Sequence, residues 1–367
     1  MENDHGIFKE MDRQPSNSVT AVNGGGIRDP TKWVLKTINY GIMIVGSVCS
    51  SLITRFYFNH HGRSRWLSTT VQSIGFPLLL FPIFLSCNRS SSSPPAFSLF
   101  TPKMIILCIV IGFCLGVNNF LFSLGISYLP MSTNGVLLST AVGFNLLTSV
   151  VMVKQKVRLN NLNCVVLLTL SSVLIAVGSN SDMPKGVSRV EFFIGFFSAL
   201  GAAGMFAFYL PIMEIVLRQV HTYRMVMEMQ MIMEASATVF SLVGMACSHG
   251  FGEIMSESSS EFDLGKSAYW WTIVATIVLW QFCFMSTAGL VFLTSALNSG
   301  ICMTATMVLH VVSGVLCYGD HLDGAKVVST LMSTWALLTY FYGEYRWQKK
   351  EPSPDRQEKE MVGVGEV

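Results

Sequence analysis

The sequence predicts an all-α integral membrane protein with ten transmembrane helices, arranged as two inverted five-helix repeats. Three observations support this fold class. Hydrophobic residues make up 51% of the 367-residue chain and charged residues only 13%, whereas a soluble domain carries about 25% charged residues. Apolar runs fill most of the chain. The two halves of the chain also carry matching residues at a constant offset of 164 positions. A soluble protein of this length could not bury so much apolar surface.

Ten apolar runs account for the predicted helices. A spanning helix needs about 20 mostly apolar residues. The runs lie at 33–56, 66–86, 104–129, 133–153, 161–179, 191–217, 224–249, 268–294, 296–317 and 325–345. The polar flanks, 1–32 and 346–367, are predicted to be disordered cytosolic tails. The first flank also lacks the apolar core of a signal peptide.

A weak internal repeat divides the runs into two halves. The positions that agree at an offset of 164 residues are Asn134 with Asn298, Thr140-Ala141 with Thr304-Ala305, and Ser149 with Ser313. Because five helices per half is an odd number, the second half must enter the membrane from the opposite side. We therefore expect inverted repeats at 33–180 and 181–345, with a substrate site near the membrane midplane. Chance similarity between two Ser/Thr-rich membrane helices is the alternative.

The distribution of basic residues predicts the orientation. With both termini in the cytosol, 14 Lys and Arg residues flank the inner side, against 5 on the outer side: Arg63, Arg65, Lys185, Arg189 and Lys266. This asymmetry follows the positive-inside rule. We expect a multi-pass protein of the plasma membrane with both termini cytosolic; the vacuolar or another internal membrane is the alternative.

Polar residues inside the predicted membrane helices indicate a binding site. Asn118 and Asn119 lie mid-span, and the repeat offset places them at the depth of Trp280 and Gln281 in the other half. Amides bind the donor–acceptor edge of a nitrogenous ring, and an indole stacks on its face. The predicted substrate-binding residues are Asn118, Asn119, Trp280 and Gln281, with Asn145 and Gln72 as further candidates. Interhelical hydrogen bonding is the alternative role.

The seventh run carries the most deeply placed carboxyl group of the chain, Glu234. Gln230, Glu234, Thr238 and Ser241 share one helix face. A carboxyl group in an apolar environment can take up and release a proton near neutral pH. We therefore expect Glu234 to couple transport to protons, with Glu228, closer to the helix end, as a second candidate. A protonated structural Glu bonded to a neighbouring helix is the alternative.

Several function classes have no support in the sequence. A carrier of anions needs fixed positive charge, and no Lys or Arg lies in the middle of a predicted helix; only Arg55 and Lys326 lie near helix ends. There is no catalytic set, no P-loop and no cysteine spacing typical of a metal site. The net charge of +2 is too small to suggest nucleic acid. The sequence predicts neither an enzyme nor a bound cofactor.

Several motifs, in order along residues 33–345, resemble those of the plant purine permease family, part of the drug/metabolite transporter superfamily. They are Gly62–Thr69 (GRSRWLST), Gly75–Leu80 (GFPLLL), Ser123–Thr133 (SLGISYLPMST), Val165–Ser172 (VVLLTLSS), Glu228-Met229-Gln230, Trp280-Gln281 and Asp323–Val327 (DGAKV). The resemblance implies ten helices in two inverted halves and proton-coupled uptake of nucleobases, cytokinins or related alkaloids. Asn118 stands where many relatives carry Asp, and Ala141 where many carry Gln.

The sequence therefore predicts a secondary active transporter that carries purine-like nitrogenous heterocycles by proton-coupled symport and alternating access. Its expected partners are the heterocyclic substrate, protons and the lipid bilayer, without nucleic acid. Two alternatives stay open. One is an anion or nucleotide-sugar exchanger of the same superfamily in an internal membrane. The other is a membrane receptor or scaffold that transports nothing.

Overall fold

The computed structural model describes residues 30–88, 97–141, 143–144, 148, 159–177, 186–294, 296–321 and 323–350. Within these ranges the secondary structure is helical and no strand is present, which confirms the predicted all-α class. The first helix begins at Pro30 and the last ends at Lys350, so helices extend a few residues into both predicted tails. The rest of the tails, and the candidate Asn145, lie outside the described residues.

Twelve α-helices occur in the described ranges. They are α1 Pro30–Asn59, α2 Arg65–Ser73, α3 Leu80–Asn88, α4 Pro102–Tyr128, α5 Met131–Ser139, α6 Leu159–Val177, α7 Arg189–Leu217, α8 Tyr223–Cys247, α9 Gly250–Ser256, α10 Gly265–Leu293, α11 Ala296–Tyr318 and α12 Gly324–Lys350. Each of the ten apolar runs overlaps at least one of them.

Six helical segments of the described residues are long and apolar enough to cross a membrane. They are Val34–Asn59, Arg65–Leu85, Pro102–Tyr128, Arg189–Leu217, Tyr223–Cys247 and Gly265–Leu293. A shorter apolar segment, Thr306–Tyr318, lies in α11. These segments make the chain a multi-pass membrane protein, while the count of ten crossings stays a prediction.

The second apolar run is broken rather than continuous. Helix α2 ends at Ser73, a 3₁₀ turn follows at Phe76–Leu79, and α3 begins at Leu80. The break contains Pro77, which lacks a backbone N–H, and Gly75. A Cβ atom on Gly75 would lie 2.8 Å from Gln281 Oε1 and 3.2 Å from the Ile277 carbonyl oxygen. Glycine therefore lets the break approach α10 closely, just after Gln72.

Helix α4 lies at the centre of the packing, against α2, α7 and α8. Glycines allow the backbones of α4 and α8 to approach closely. A Cβ atom on Gly112 would clash with the Met233 carbonyl group and lie 2.7 Å from Ser236 Cβ. The Ser236 hydroxyl donates a hydrogen bond to the Ile109 carbonyl at 2.9 Å. This close contact positions α8, which carries Glu234, beside α4, which carries Asn118 and Asn119.

The connection between α1 and α2 is bound to the connection between α8 and α10. The buried carboxylate of Glu257 accepts hydrogen bonds from the backbone N–H groups of Arg63 (2.9 Å) and Ser64 (2.8 Å) and from the Tyr57 hydroxyl (2.6 Å). Nearby, His60 Nδ1 lies 2.9 Å from the Asp263 carboxylate. The hydrogen bond from His60 lowers the pKa of Asp263 below its usual value.

Candidate functional site

A cavity lies among seven described segments. Its wall is formed by α1, α2, α4, α7, α10, α11 and the end of α5 with the adjoining Ala141. Four of the predicted binding residues line it: Gln72, Asn118, Asn119 and Trp280. The cavity volume is about 50 Å³, whereas a cavity of roughly 150 Å³ holds a benzene molecule. A heterocycle therefore enters only if the wall moves outward.

The amides of Gln72 and Asn119 form one polar side of the wall. Gln72 Nε2 donates to the carbonyl oxygens of Ser68 (3.0 Å) and Asn119 (3.3 Å) and to Ser123 Oγ (2.9 Å). These bonds hold the amide of Gln72 in place. Among the described residues, Gln72 Oε1 and Asn119 Nδ2 have no hydrogen-bond partner. One acceptor and one donor are therefore available to a ligand, because buried polar groups are costly when unpaired.

Aromatic side chains form an apolar wall beside the amides. The indole N–H of Trp280 donates to Thr54 Oγ1 at 3.4 Å. The Trp280 ring meets Phe122 edge to face, with centroids 5.2 Å apart, and lies 5.3 Å from the Phe284 ring. All three rings line the cavity. A flat aromatic ligand is favoured by such surroundings.

A histidine forms a second polar region of the wall. His310 and Ser47 both line the cavity. His310 Nε2 lies 3.2 Å from the Ser47 carbonyl oxygen. Because a carbonyl oxygen only accepts hydrogen bonds, Nε2 carries the proton and donates it. In the neutral imidazole, Nδ1 is then an acceptor.

Within the described part of the chain, no Lys or Arg lines the cavity. Arg55 Nη1 donates instead to the Ile126 carbonyl at 2.7 Å, near the end of α4. Lys326 Nζ donates to the His321 carbonyl at 2.9 Å. The wall therefore offers neutral polar groups to a ligand rather than fixed positive charge.

Gln281 does not line the cavity and contacts Glu234 instead. Glu234 Oε1 accepts hydrogen bonds from Gln230 Nε2 at 2.9 Å and from Gln281 Nε2 at 3.3 Å. Successive residues of a helix point about 100° apart, and α10 directs Trp280 to the cavity and Gln281 to α8. Glu234 is fully buried, and its Oε2 has no hydrogen-bond partner among the described residues.

Glu228 lies apart from this cluster and from the cavity wall. Its Oε1 is 3.1 Å from Arg224 Nε, one turn away on α8. Its Oε2 accepts a hydrogen bond from the Phe97 backbone N–H at 3.3 Å. The carboxylate therefore has a cation and a backbone donor as partners.

The sequence analysis missed several polar residues of the wall, among them Ser47, Ser51, Thr287 and Tyr209. Serine and threonine are common in membrane helices because they hydrogen-bond within their own helix. Tyr209 stands among apolar residues of α7. Its hydroxyl is the one feature that sets Tyr209 apart from its apolar neighbours in the sequence. The presence of a hydroxyl does not indicate which way the ring points.

Comparison with known proteins finds relatives of this chain along most of its length. A family model described as purine nucleobase transmembrane transport matches residues 34–350. The chain is 47% identical over 310 residues to Probable purine permease 4 of Arabidopsis thaliana, covering 84% of this chain and 80% of the relative. It is 33% identical over 344 residues to Purine permease 2 of the same plant, covering 89% and 96%.

A solved crystal structure of 13% identity matches 84% of this chain and 96% of its own, with a TM-score of 0.54. That likeness concerns the fold alone. The family match spans most of the helical region and includes every residue of the cavity wall named above. This chain therefore belongs to the purine nucleobase transmembrane transport family, whose members are membrane transporters and not enzymes.

Proposed function

We propose that this protein is a proton-coupled symporter of neutral, flat nitrogenous heterocycles of the nucleobase class, working by alternating access. The observation that carries the proposal is the pair of unpartnered atoms, Gln72 Oε1 and Asn119 Nδ2, on a wall that also holds Trp280. An acceptor and a donor on the same cavity wall match a ring edge that presents both a donor and an acceptor.

The neutral wall favours this substrate class over the alternatives. An exchanger of phosphates or nucleotide sugars would need Lys or Arg against its anionic ligand. The two cationic side chains that the sequence places near helix ends, Arg55 and Lys326, instead donate to backbone carbonyls. A receptor or scaffold has no need for buried, unpartnered amide atoms. Nucleobases, cytokinins and related alkaloids all present the required kind of ring edge.

Glu234 is the proposed site of the coupling proton. It is buried, its Oε1 accepts hydrogen bonds from two amides, and its Oε2 has no hydrogen-bond partner among the described residues. A buried carboxyl group without a cation is more stable with a proton bound. Glu228 has Arg224 as its partner, so we assign the coupling proton to Glu234 and a structural role to Glu228.

The proposed architecture is ten helices in two inverted halves, 33–180 and 181–345, with both termini in the cytosol and the protein in the plasma membrane. Corresponding helices of the two halves pack in pairs, α5 against α11 and α6 against α12. In the second pair, Ser171 Oγ lies 2.9 Å from Ser333 Oγ. Pairing of equivalent helices is what a pseudo-two-fold axis in the membrane plane requires.

Uptake of labelled adenine by transport-deficient cells tests the substrate site. We expect Gln72→Met and Asn119→Leu each to reduce uptake by about five-fold or more, since an unpaired buried polar group on the ligand costs about 1–3 kcal/mol. Thr70→Val is the matched control: Thr70 lies on the same helix as Gln72 and is buried, and within the described residues its hydroxyl bonds only to the Trp66 carbonyl. Normal uptake by both amide variants would contradict the proposed site.

A further inference from the structure

The hydroxyl of Tyr209 is a polar group of the cavity wall that the proposed transport does not use. Tyr209 is 3% exposed, and its ring packs edge to face on Phe206, with centroids 5.5 Å apart. No hydrogen bond joins its hydroxyl to another residue that the structure describes. Buried tyrosine hydroxyls usually have a partner, so this one is available to a ligand or a water molecule.

A second, smaller cavity adjoins the first at Tyr209. The two cavities share Tyr209, Phe284 and Thr287, and the smaller one is also lined by Gln230 and Ala288. Its volume is about 10 Å³, close to the roughly 10–15 Å³ that one water molecule needs. The smaller cavity therefore lies between the main cavity and α8.

Gln230 connects this smaller cavity to Glu234. Its Nε2 donates to Glu234 Oε1 at 2.9 Å, while its Oε1 has no hydrogen-bond partner in the described part of the chain. A water molecule in the smaller cavity would supply the missing donor. Polar groups then follow one another from the main cavity through Tyr209 and this water to Gln230 and Glu234.

We propose that Tyr209 is the positioning residue that couples substrate binding to protonation: its hydroxyl and one water in the smaller cavity join the bound heterocycle to Gln230 and Glu234. This inference rests on the proposed function. A substrate that hydrogen-bonds to the Tyr209 hydroxyl fixes the positions of the water molecule and the Gln230 amide. In that arrangement the protonated form of Glu234 is stabilised. Because such coupling is reciprocal, protonation of Glu234 also strengthens substrate binding.

The surrounding titratable groups leave Glu234 as the carrier of this proton. The titratable side chains of the helices packed against α8 near Glu234 are Cys108 and Cys114 on α4 and Cys283 on α10. Buried thiols are weak acids that stay uncharged. On α8 itself, Glu228 is paired with Arg224. Across the main cavity, His310 on α11 donates to a backbone carbonyl.

The test is adenine binding to the purified full-length protein in nanodiscs, measured at one pH unit below and one above neutrality. We expect the unaltered protein to bind adenine several-fold more tightly at the lower pH, within the range of about 5- to 150-fold typical of coupled sites. Tyr209→Phe keeps the ring and removes only the hydroxyl. We expect it to bring the ratio of the two dissociation constants close to one.

Two further variants keep the test decisive. Ala288→Val fills the smaller cavity without altering the main one, and we expect it to flatten the pH ratio as Tyr209→Phe does. Met303→Leu alters the main cavity alone, and we expect weaker binding with an unchanged pH ratio. If Tyr209→Phe and Ala288→Val retain the full pH ratio, the inference is wrong while the proposed function stands. If the unaltered protein binds no adenine, the proposed function fails first.

Discussion

At the scale of single residues, the polar side chains that the sequence places at membrane depth divide into two groups with different surroundings. Gln72, Asn118 and Asn119 line the cavity, whereas Glu234 and Gln281 lie behind it and contact each other. The first group offers hydrogen bonds to a neutral ring. The second surrounds a carboxyl group that has no cationic partner within the described residues. The proposed substrate and proton sites are therefore adjacent but separate.

Glu234→Gln removes the proton carrier with little change in shape. We expect this variant to lose accumulation against a gradient but to retain exchange of labelled for unlabelled adenine. One proton moving down one pH unit can drive about ten-fold accumulation, since both correspond to about 1.4 kcal/mol. Uptake by transport-deficient cells over a pH series measures this loss.

Glu228→Gln is the control for that experiment, because Glu228 is paired with Arg224. We expect it to lower the amount of folded protein, since the largely buried Arg224 guanidinium loses its ion pair with this carboxylate, while the pH dependence per molecule is kept. Full pH-dependent accumulation by Glu234→Gln, or its loss in Glu228→Gln alone, would reverse the assignment of the two carboxyl groups.

At the scale of helices, close approach between α4 and α8 decides where Glu234 lies relative to the amides. The contact depends on Gly112, where any side chain would meet the backbone of Met233. The predicted boundaries of both helices agree with the structure within a few residues. The sequence did not reveal this contact, because a glycine in an apolar run is equally compatible with a lipid-facing position.

Gly112→Ala is expected to destabilise the protein, because the added methyl group forces α4 and α8 apart; such overpacking costs about 1–3 kcal/mol. Gly204→Ala is the matched control, since nothing lies within 4 Å of a Cβ atom there. That variant should be slightly stabilised, because glycine in a helix costs about 0.5–1 kcal/mol relative to alanine. The thermal unfolding midpoints of the two purified variants, compared with that of the unaltered protein, test the expected loss and the expected gain of stability. A lower midpoint for Gly204→Ala than for Gly112→Ala would contradict the packing described here.

At the scale of the whole molecule, hydrogen bonds at one end of the helices join distant parts of the chain. Glu257 holds the α1–α2 connection to the connection before α10. Asp320, after α11, accepts hydrogen bonds from the Ser132 backbone N–H at 2.9 Å and its hydroxyl at 2.7 Å, at the start of α5. The proposed orientation places both links on the outer face, where they close that end around the cavity.

Thiol labelling tests this orientation. Cys247 is exposed and ends α8, on the outer face if both termini are cytosolic. In a variant that retains Cys247 as its one cysteine, we expect a membrane-impermeant maleimide to label intact cells, because exposed thiols react from water. Adding Cys247→Ser to that variant should abolish the signal. Labelling that requires permeabilised cells would contradict the proposed orientation in the plasma membrane.

The sequence by itself determined the membrane setting of the protein and which polar residues lie within its apolar runs. Apolar runs, mid-span amides and the lone deep carboxyl group are properties of position along the chain, and a period of 3.6 residues relates them within one helix. Family membership likewise followed from motifs in order. These features depend on local patterns, so they can be read without coordinates.

Only the tertiary structure decided which polar groups face one another. It placed Gln281 beside Glu234 instead of in the cavity, paired Glu228 with Arg224, and brought Tyr209 between the cavity and Gln230. The rotation of each helix about its axis depends on contacts with neighbouring helices that are distant in sequence. Periodicity gives a helix its faces, but only packing selects which face meets the ligand, which meets a partner helix and which meets lipid.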